Sequence, residues 1–296
     1  MNETQYELLL SAVCISANPS MAMKDASLKA SSHGLLEQFK SGPQSKEQCL
    51  SILSMSQPHV YKGEGVEGGS GSGVVDCTIH MQLYCVHCLR GYCLNTFAKL
   101  SAHERSPFRE QLMTLLAMPH MANAEGGRLD KSVVNNVASL LASVTALCFP
   151  DSWPTFLQDT GSLLSISSQT AVICLLSLKQ AMSDCKDNDF NSSLSSTARN
   201  AFLQGLNEVS ESLLTLLYDF ALHSYNTTKP PSNQPTSLTL QVLSTLESFC
   251  LFSPPTWFER ALPDDRSYLK LYLHLMTDHK DGLATAAAKC FSAMVR

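Results

Sequence analysis

The sequence predicts an all-α protein, an α-solenoid in which amphipathic helices pack as successive pairs. Three observations carry this. Apolar residues recur at three- and four-residue steps along most of the 296-residue chain, and strand-like alternation is nearly absent. The periodic segments are about 12–30 residues long and joined by short Pro- or Gly-bearing turns, close to the period of helix-pair arrays. One turn pattern recurs. Leu147-Cys148-Phe149-Pro150 leads into Trp153 and Phe156-Leu157, and Cys250-Leu251-Phe252 leads through Pro254 into Trp257-Phe258. In both places an apolar helix ends at Phe, a Pro turn follows and Trp opens the next helix.

The first helix is expected from Glu3 to Ala17, with Tyr6, Leu9, Leu10, Val13 and Cys14 on one face. Asn18-Pro19 stops it, because Pro disfavours helix in the residue before it. The second runs from Lys24 to Lys40 with Leu28, Leu35, Leu36 and Phe39 inward, and Ser41-Gly42-Pro43 ends it. A short third helix covers Ser45 to Met55. Residues 58–77 read as a flexible Gly/Ser insert, with six glycines between Gly63 and Gly73. No Lys follows those glycines as a phosphate-cradling loop requires.

Beyond the insert, helices are expected over Thr78 to Leu100, with Met81, Cys85, Cys88, Leu89 and Tyr92 as the stripe. The next are Pro107 to Met118 and Lys131 to Phe149, the latter with Val134, Val137, Leu140, Leu141, Val144 and Leu147 inward. Further helices are read at Ser167 to Asp184, as one long helix at Ser195 to Ser224, and at Thr236 to Phe252. Two more follow at Ser267 to Thr277 and Lys280 to Arg296. Polar or Pro-rich loops separate them at Asp187 to Ser193 and Thr227 to Pro235. The chain stops inside an apolar pattern, which reads as a truncated array, since terminal repeats carry a polar cap.

Composition narrows the function classes. Apolar residues are 44% and charged residues 16%, with net charge −5 and a pI of about 6.0. No basic stripe suits direct contact with nucleic acid, and an acidic face suits a basic protein partner. The eleven cysteines are scattered through apolar helical runs, as in a reduced intracellular protein. The start, Met1-Asn2-Glu3, lacks a signal-peptide pattern. No run reads as a membrane span, so no membrane association is expected.

Chemistry does not assemble. Cys85-x-x-Cys88, with His80, His87 and Cys93 nearby, has zinc spacing, but a structural site needs a second pair and none exists. Small buried core residues are the better account, and no metal or cofactor is expected. No Gly-x-Ser-x-Gly elbow is present. Asp264-Asp265 and Asp184/Asp187/Asp189 read as turn and cap residues, and His274 and His279 as helix-end residues. The chain reads as a binding protein and not an enzyme.

Several stretches resemble the importin-β/exportin superfamily. Asp25-Ala26-Ser27-Leu28-Lys29-Ala30 through Leu35-Leu36-Glu37-Gln38-Phe39-Lys40 is similar to the importin-β N-terminal region. Met81-Gln82-Leu83-Tyr84-Cys85-Val86-His87-Cys88-Leu89 stands in the place of the family's next inner helix. Phe149-Pro150-Asp151-Ser152-Trp153-Pro154 resembles the Trp-Pro-x-x-Trp-Pro signature of exportin-1-like proteins, with Phe149 in place of the first Trp. The order of a long outer helix, Leu243-Ser244-Thr245-Leu246-Glu247-Ser248-Phe249, the Trp257 turn and Ala286-Ala287-Ala288-Lys289-Cys290-Phe291 resembles the exportin-5 branch.

The resemblance implies about six HEAT-like repeats from the N-terminal part of an exportin. It assigns residues 1–57 to importin-β-like pairs, 78–225 to an exportin-1-like region and 226–296 to further pairs. It also implies binding of the GTP form of the GTPase Ran, contact with nucleoporins, and shuttling of a monomer between nucleus and cytoplasm. Cargo would be structured RNA, such as tRNA or precursor microRNA, or protein, with most of the cargo cradle outside this chain. Candidate Ran contacts on inner helices are Gln82, Arg90, Lys131, Asn135 and Asn136. Phe149, Pro150, Trp153, Pro154 and Trp257 form the structural junctions. An import receptor, or a helical scaffold without Ran dependence, is the alternative.

Overall fold

The computed structural model describes residues 1–18, 26–62, 74–121, 129–186, 194–227, 236–252, 275–276 and 282–294. The fold is all-α, with twelve α-helices among the described residues. They are α1 (Glu3–Ala17), α2 (Ala26–Ser41), α3 (Ser45–Leu53), α4 (Thr78–Asn95), α5 (Ala102–Ala117) and α6 (Lys131–Cys148). Then come α7 (Phe156–Ile166), α8 (Ser168–Lys186), α9 (Ser196–Glu208), α10 (Ser210–Thr227), α11 (Thr236–Phe252) and α12 (Leu283–Met294). Two compact units divide the chain. The first is Met1–Thr96 with Leu129–Val137, the second Phe97–Arg128 with Ala138–Arg296.

In the first unit α1 packs on α2 and α4, and α3 on α4. An Asn2 cap starts α1. Its side chain accepts the Gln5 amide at 2.8 Å, and the Gln5 side chain accepts the Asn2 amide at 3.3 Å. This satisfies two amides that a helix start otherwise leaves without partners. Asn2→Ala is expected to cost about 1 kcal/mol, seen as faster amide exchange in the first turn of α1 only. The core face of α1 is as read, with Leu9, Leu10, Val13 and Cys14 buried.

The expected inward face of α2 needs correction. Leu28 and Leu35 are 42% and 40% exposed, while Ser32 is 3% exposed and donates its hydroxyl to the Leu28 carbonyl. The buried side of α2 runs through Ser32, with Leu36 and Phe39 half-buried beside it. Leu28 and Leu35 are left at its rim.

Part of the stretch 58–77 is regular structure. Val60–Lys62 (β1) and Val74–Asp76 (β2) pair antiparallel, with Tyr61 opposite Val75. Gly63–Gly73 lies outside the described residues.

In the second unit each helix packs on near neighbours in sequence. α5 meets α7, α7 meets α8 and α10, α8 meets α9 and α11, and α11 meets α10 and α12. This neighbour-on-neighbour packing is that of an α-solenoid. α5 begins at Ala102 rather than Pro107. Ser101 and Glu104 close a capping box, with the Ser101 amide donating to Glu104 Oε2 at 2.8 Å. Pro107 therefore sits inside the helix and not at its start.

The segment expected as one helix over 195–224 is two. The chain turns at Val209, and the Ser210 hydroxyl donates to the Asn207 carbonyl at 2.7 Å. That bond satisfies a carbonyl freed by the break, so it carries little penalty. Similarly, α4 ends at Asn95 and a 3-10 turn covers Phe97–Lys99. Helix α6 has the length and hydropathy of a membrane span, contrary to the sequence reading, yet 61% of it is buried, as suits a core helix. Most of the helix expected over 267–277, the loops at 187–193 and 228–235, and Trp257 lie outside the described residues.

Candidate functional site

The best-organised polar cluster surrounds the turn after α6, entirely within the second unit. Phe149 and Trp153 are 6% and 2% exposed, while Pro154 lies at the surface. The Phe149–Pro150 peptide is cis. Phe149 packs on Phe156 with centroids 4.5 Å apart and the rings tilted by 39°, and lies edge-to-face with Phe202 at 6.1 Å. Trp153 meets Phe156 edge-on at 5.5 Å.

Two arginines one turn apart on α5 clamp this turn. Arg105 donates to the Leu147 carbonyl and, at 3.0 Å, to Ala98. Leu147 is in the last turn of α6, where carbonyls lack helical partners and a cation is favoured. Arg109 donates to the Ser152 carbonyl, pairs with Glu110 at 3.0 Å and lies 5.8 Å from the Trp153 ring. On the far side, the Trp153 indole N–H and the Thr155 hydroxyl each donate to Asp159 Oδ2 at 2.7 Å. The arginine terminal nitrogens, the indole N–H and the Thr155 hydroxyl grip backbone or another member of the cluster, as in a joint, while Arg105 Nε and Ser152 Oγ are buried without a hydrogen-bond partner. Sequence reasoning found the turn but missed Arg105, Arg109 and Asp159. The only signals were the four-residue spacing of the arginines and an Asp six residues after Trp153.

The cysteine motif resolves into packing. Cys85 and Cys88 are buried on α4 against Cys49 of α3, whereas His80 and His87 are exposed. Hydrogen bonding among these thiols, with burial, pushes Cys49 and Cys88 well above the ordinary thiol range. Burial likewise raises Cys148, Cys174 and Cys185 to about 12. Thiols held protonated in this way are poor metal ligands and nucleophiles. Among the described residues, no group of three or more His, Cys, Asp or Glu is arranged to hold a metal ion.

The five candidate contact residues lie in the first unit, on α4 and on the first turns of α6. Gln82 and Arg90 are half-buried on α4. Lys131 and Asn135 are exposed one turn apart at the start of α6, and Asn136 is half-buried, donating to the Ser132 carbonyl at 2.9 Å. Beside Arg90, the C-terminal half of α4 borders an open cavity of about 590 Å³. There the Lys46 ammonium pairs with Glu47 at 2.9 Å and lies 5.5 Å from the Tyr92 ring. These surfaces are polar, accessible and built on helices, which suits contact with a protein.

Compared with known families, residues 130–291 match the model described as Exportin 1-like protein, over more than half of the chain and including the clamped turn. No curated protein matches.

Proposed function

The chain belongs to the exportin 1-like family of importin-β-type nuclear transport receptors, and from that membership we propose an exportin that binds the GTP form of Ran and carries cargo out of the nucleus. The observation that carries the reading is the family match over residues 130–291, coming on a chain whose helices pack on near neighbours in each unit. Receptors of this class work by binding, and stacked helix pairs supply repeated side-chain faces for it.

Ran is bound through α4 and the start of α6. Arg90 and Lys131 meet acidic groups on the GTPase, and Gln82, Asn135 and Asn136 supply hydrogen bonds. The cargo is structured RNA or protein, as in the exportin-5 branch. Since this chain has no basic stripe, it contributes little to an RNA contact. The receptor shuttles as a monomer, touching nucleoporins in transit.

Capture of the chain by Ran locked in its GTP or GDP form tests the proposal. GTP-locked Ran is expected to retain the chain and GDP-bound Ran to leave it in solution. Arg90→Glu with Lys131→Glu is expected to weaken capture about tenfold or more, by placing like charges across the contact, with an unchanged circular-dichroism spectrum. Equal capture by both forms removes Ran dependence, and full retention by the double variant removes these contacts. Cargo released by Ran-GTP, rather than bound with it, points to an import receptor.

A further inference from the structure

The outward side of α4 is a strip with a fixed order of chemistry. Ile79, Leu83, Arg90 and Leu94 fall within about 60° of one another around the helix axis. Ile79 and Leu94 are 43% and 40% exposed, and Leu83 and Arg90 are half-buried. His80 and His87 stand exposed along the same side. The opposite side, through Met81, Cys85, Cys88 and Leu89, is buried where α4 packs on α1 and α3.

Helix α2 lies beside this strip and adds a second cation. The Tyr84 hydroxyl donates to the Leu36 carbonyl at 2.6 Å, and the Phe39 and Tyr84 rings are 5.9 Å apart. Further along, Lys40 crosses Gly91, where a Cβ would stand 3.8 Å from Lys40 Cε. Lys40 and Gly91 line the open cavity of about 590 Å³, together with Glu37 and Glu47. Glu47 is taken by Lys46 at 2.9 Å. Neither Arg90 nor Lys40 makes an ion pair among the described residues, and α4 contains no Asp or Glu. In a chain of net charge −5 this strip therefore runs against the overall sign. Along the axis the order is aliphatic, cationic, aliphatic. Leu83 and Leu94 are about 16 Å apart, with Arg90 and the Lys40–Gly91 crossing between them. A single exposed leucine needs no explanation. Aliphatic side chains in one line around cations without partners are a pattern that a complementary helix can read.

We propose that this strip docks an acidic amphipathic helix of a partner protein, with carboxylates facing Arg90 and Lys40 and aliphatic side chains on Leu83 and Leu94. A helix fits because the strip follows the α4 axis for about 22 Å, from Ile79 to Leu94, and helices pack side by side over such lengths. Aliphatic contacts at the two ends exclude water from the charges between them. A basic helix is rejected by like charge. The surface is read from α2 and α4 alone. It needs neither a GTPase nor the α6 contacts, so it goes beyond the transport reading.

Fluorescence anisotropy of labelled helical peptides titrated with the whole chain tests it. The probe peptide carries leucines about 16 Å apart along one face and glutamates between them. One control peptide has lysines in place of the glutamates, and another has serines in place of the leucines. The probe is expected to bind at least about tenfold tighter than either control. Ile79→Ser with Leu94→Ser should weaken the probe by about tenfold or more. Leu251→Ser on α11, similarly exposed at 47%, should leave it unchanged. Lys40→Glu with Arg90→Glu should weaken the glutamate peptide and strengthen the lysine peptide. Where a variant loses its circular-dichroism spectrum, the comparison of the three peptides on the unaltered chain decides. Equal affinity for the three peptides, no binding of the probe, or full affinity in the folded variants overturns the proposal. Failure of Ran capture with the peptide preference intact removes the transport reading and leaves this one standing.

Discussion

Trp153→Ala is expected to destabilise the second unit by about 3–5 kcal/mol, the range for deleting a buried large aromatic side chain. Trp153 is 2% exposed, and four interactions converge on it. The Phe156 edge lies at 5.5 Å, the Arg109 guanidinium at 5.8 Å and Asp159 at 2.7 Å, while its amide donates to the Pro150 carbonyl at 3.2 Å. Truncation leaves a cavity and removes the aromatic face from a buried arginine. Trp153→Phe separates the contributions. It keeps most of the ring contact and loses the bond to Asp159, a hydrogen bond to a charged group worth about 1.5–3 kcal/mol. Urea unfolding followed by far-ultraviolet circular dichroism measures both. A loss below about 1 kcal/mol for the alanine variant would mean the turn is held without its indole.

Gly205→Ala is expected to destabilise by about 1–3 kcal/mol, the usual cost of overpacking. The direction is the informative part. In a helix interior, Ala is ordinarily better than Gly by about 1 kcal/mol. At Gly205 a Cβ would stand 2.9 Å from Phe149 Cε1 and from Cγ and Cδ of Pro150. Neither ring can yield easily, because Phe149 is wedged between Phe156 and Phe202 and the proline ring is rigid. Gly161 on α7 is the control. There a Cβ would meet Leu216 Cδ1 at 3.5 Å, an ordinary contact, so Gly161→Ala should stabilise by about 0.5–1 kcal/mol. Melting curves with opposite shifts support the packing account, whereas two stabilising shifts would remove the close approach of α9 to the turn.

How far the sequence could be read depended on the distance over which each feature is encoded. The faces of α1, α4 and α6 were legible because three- and four-residue spacing is local and each buried face repeats it several times. The β1–β2 ribbon was not, since strands of three residues beside a run of glycines leave no alternation to detect. The break at Val209 was hidden because the apolar register continues across it, from Leu206 to Leu213 and Leu217. At Ser101 the capping box is present in the sequence, but Pro107 follows it, and a proline itself reads as a helix start. The Phe149–Pro154 turn stood out as a motif, but its partners did not. Arg105 and Arg109 look like ordinary surface charges on α5, and only the fold brings the α6 carbonyl and Ser152 to them. The polar candidates on α4 and α6 were chosen by resemblance, and residues of that type give no local signal that separates a contact from a solvated face.

The proposed receptor recognises its partner by nucleotide state. Equilibrium titration of the chain with Ran in the GTP-locked and GDP-bound forms, at one salt concentration, tests this most directly. Binding of the GTP form at least about tenfold tighter, a difference of about 1.4 kcal/mol, is the predicted result. Equal affinity for the two forms, or no binding to either, would contradict it.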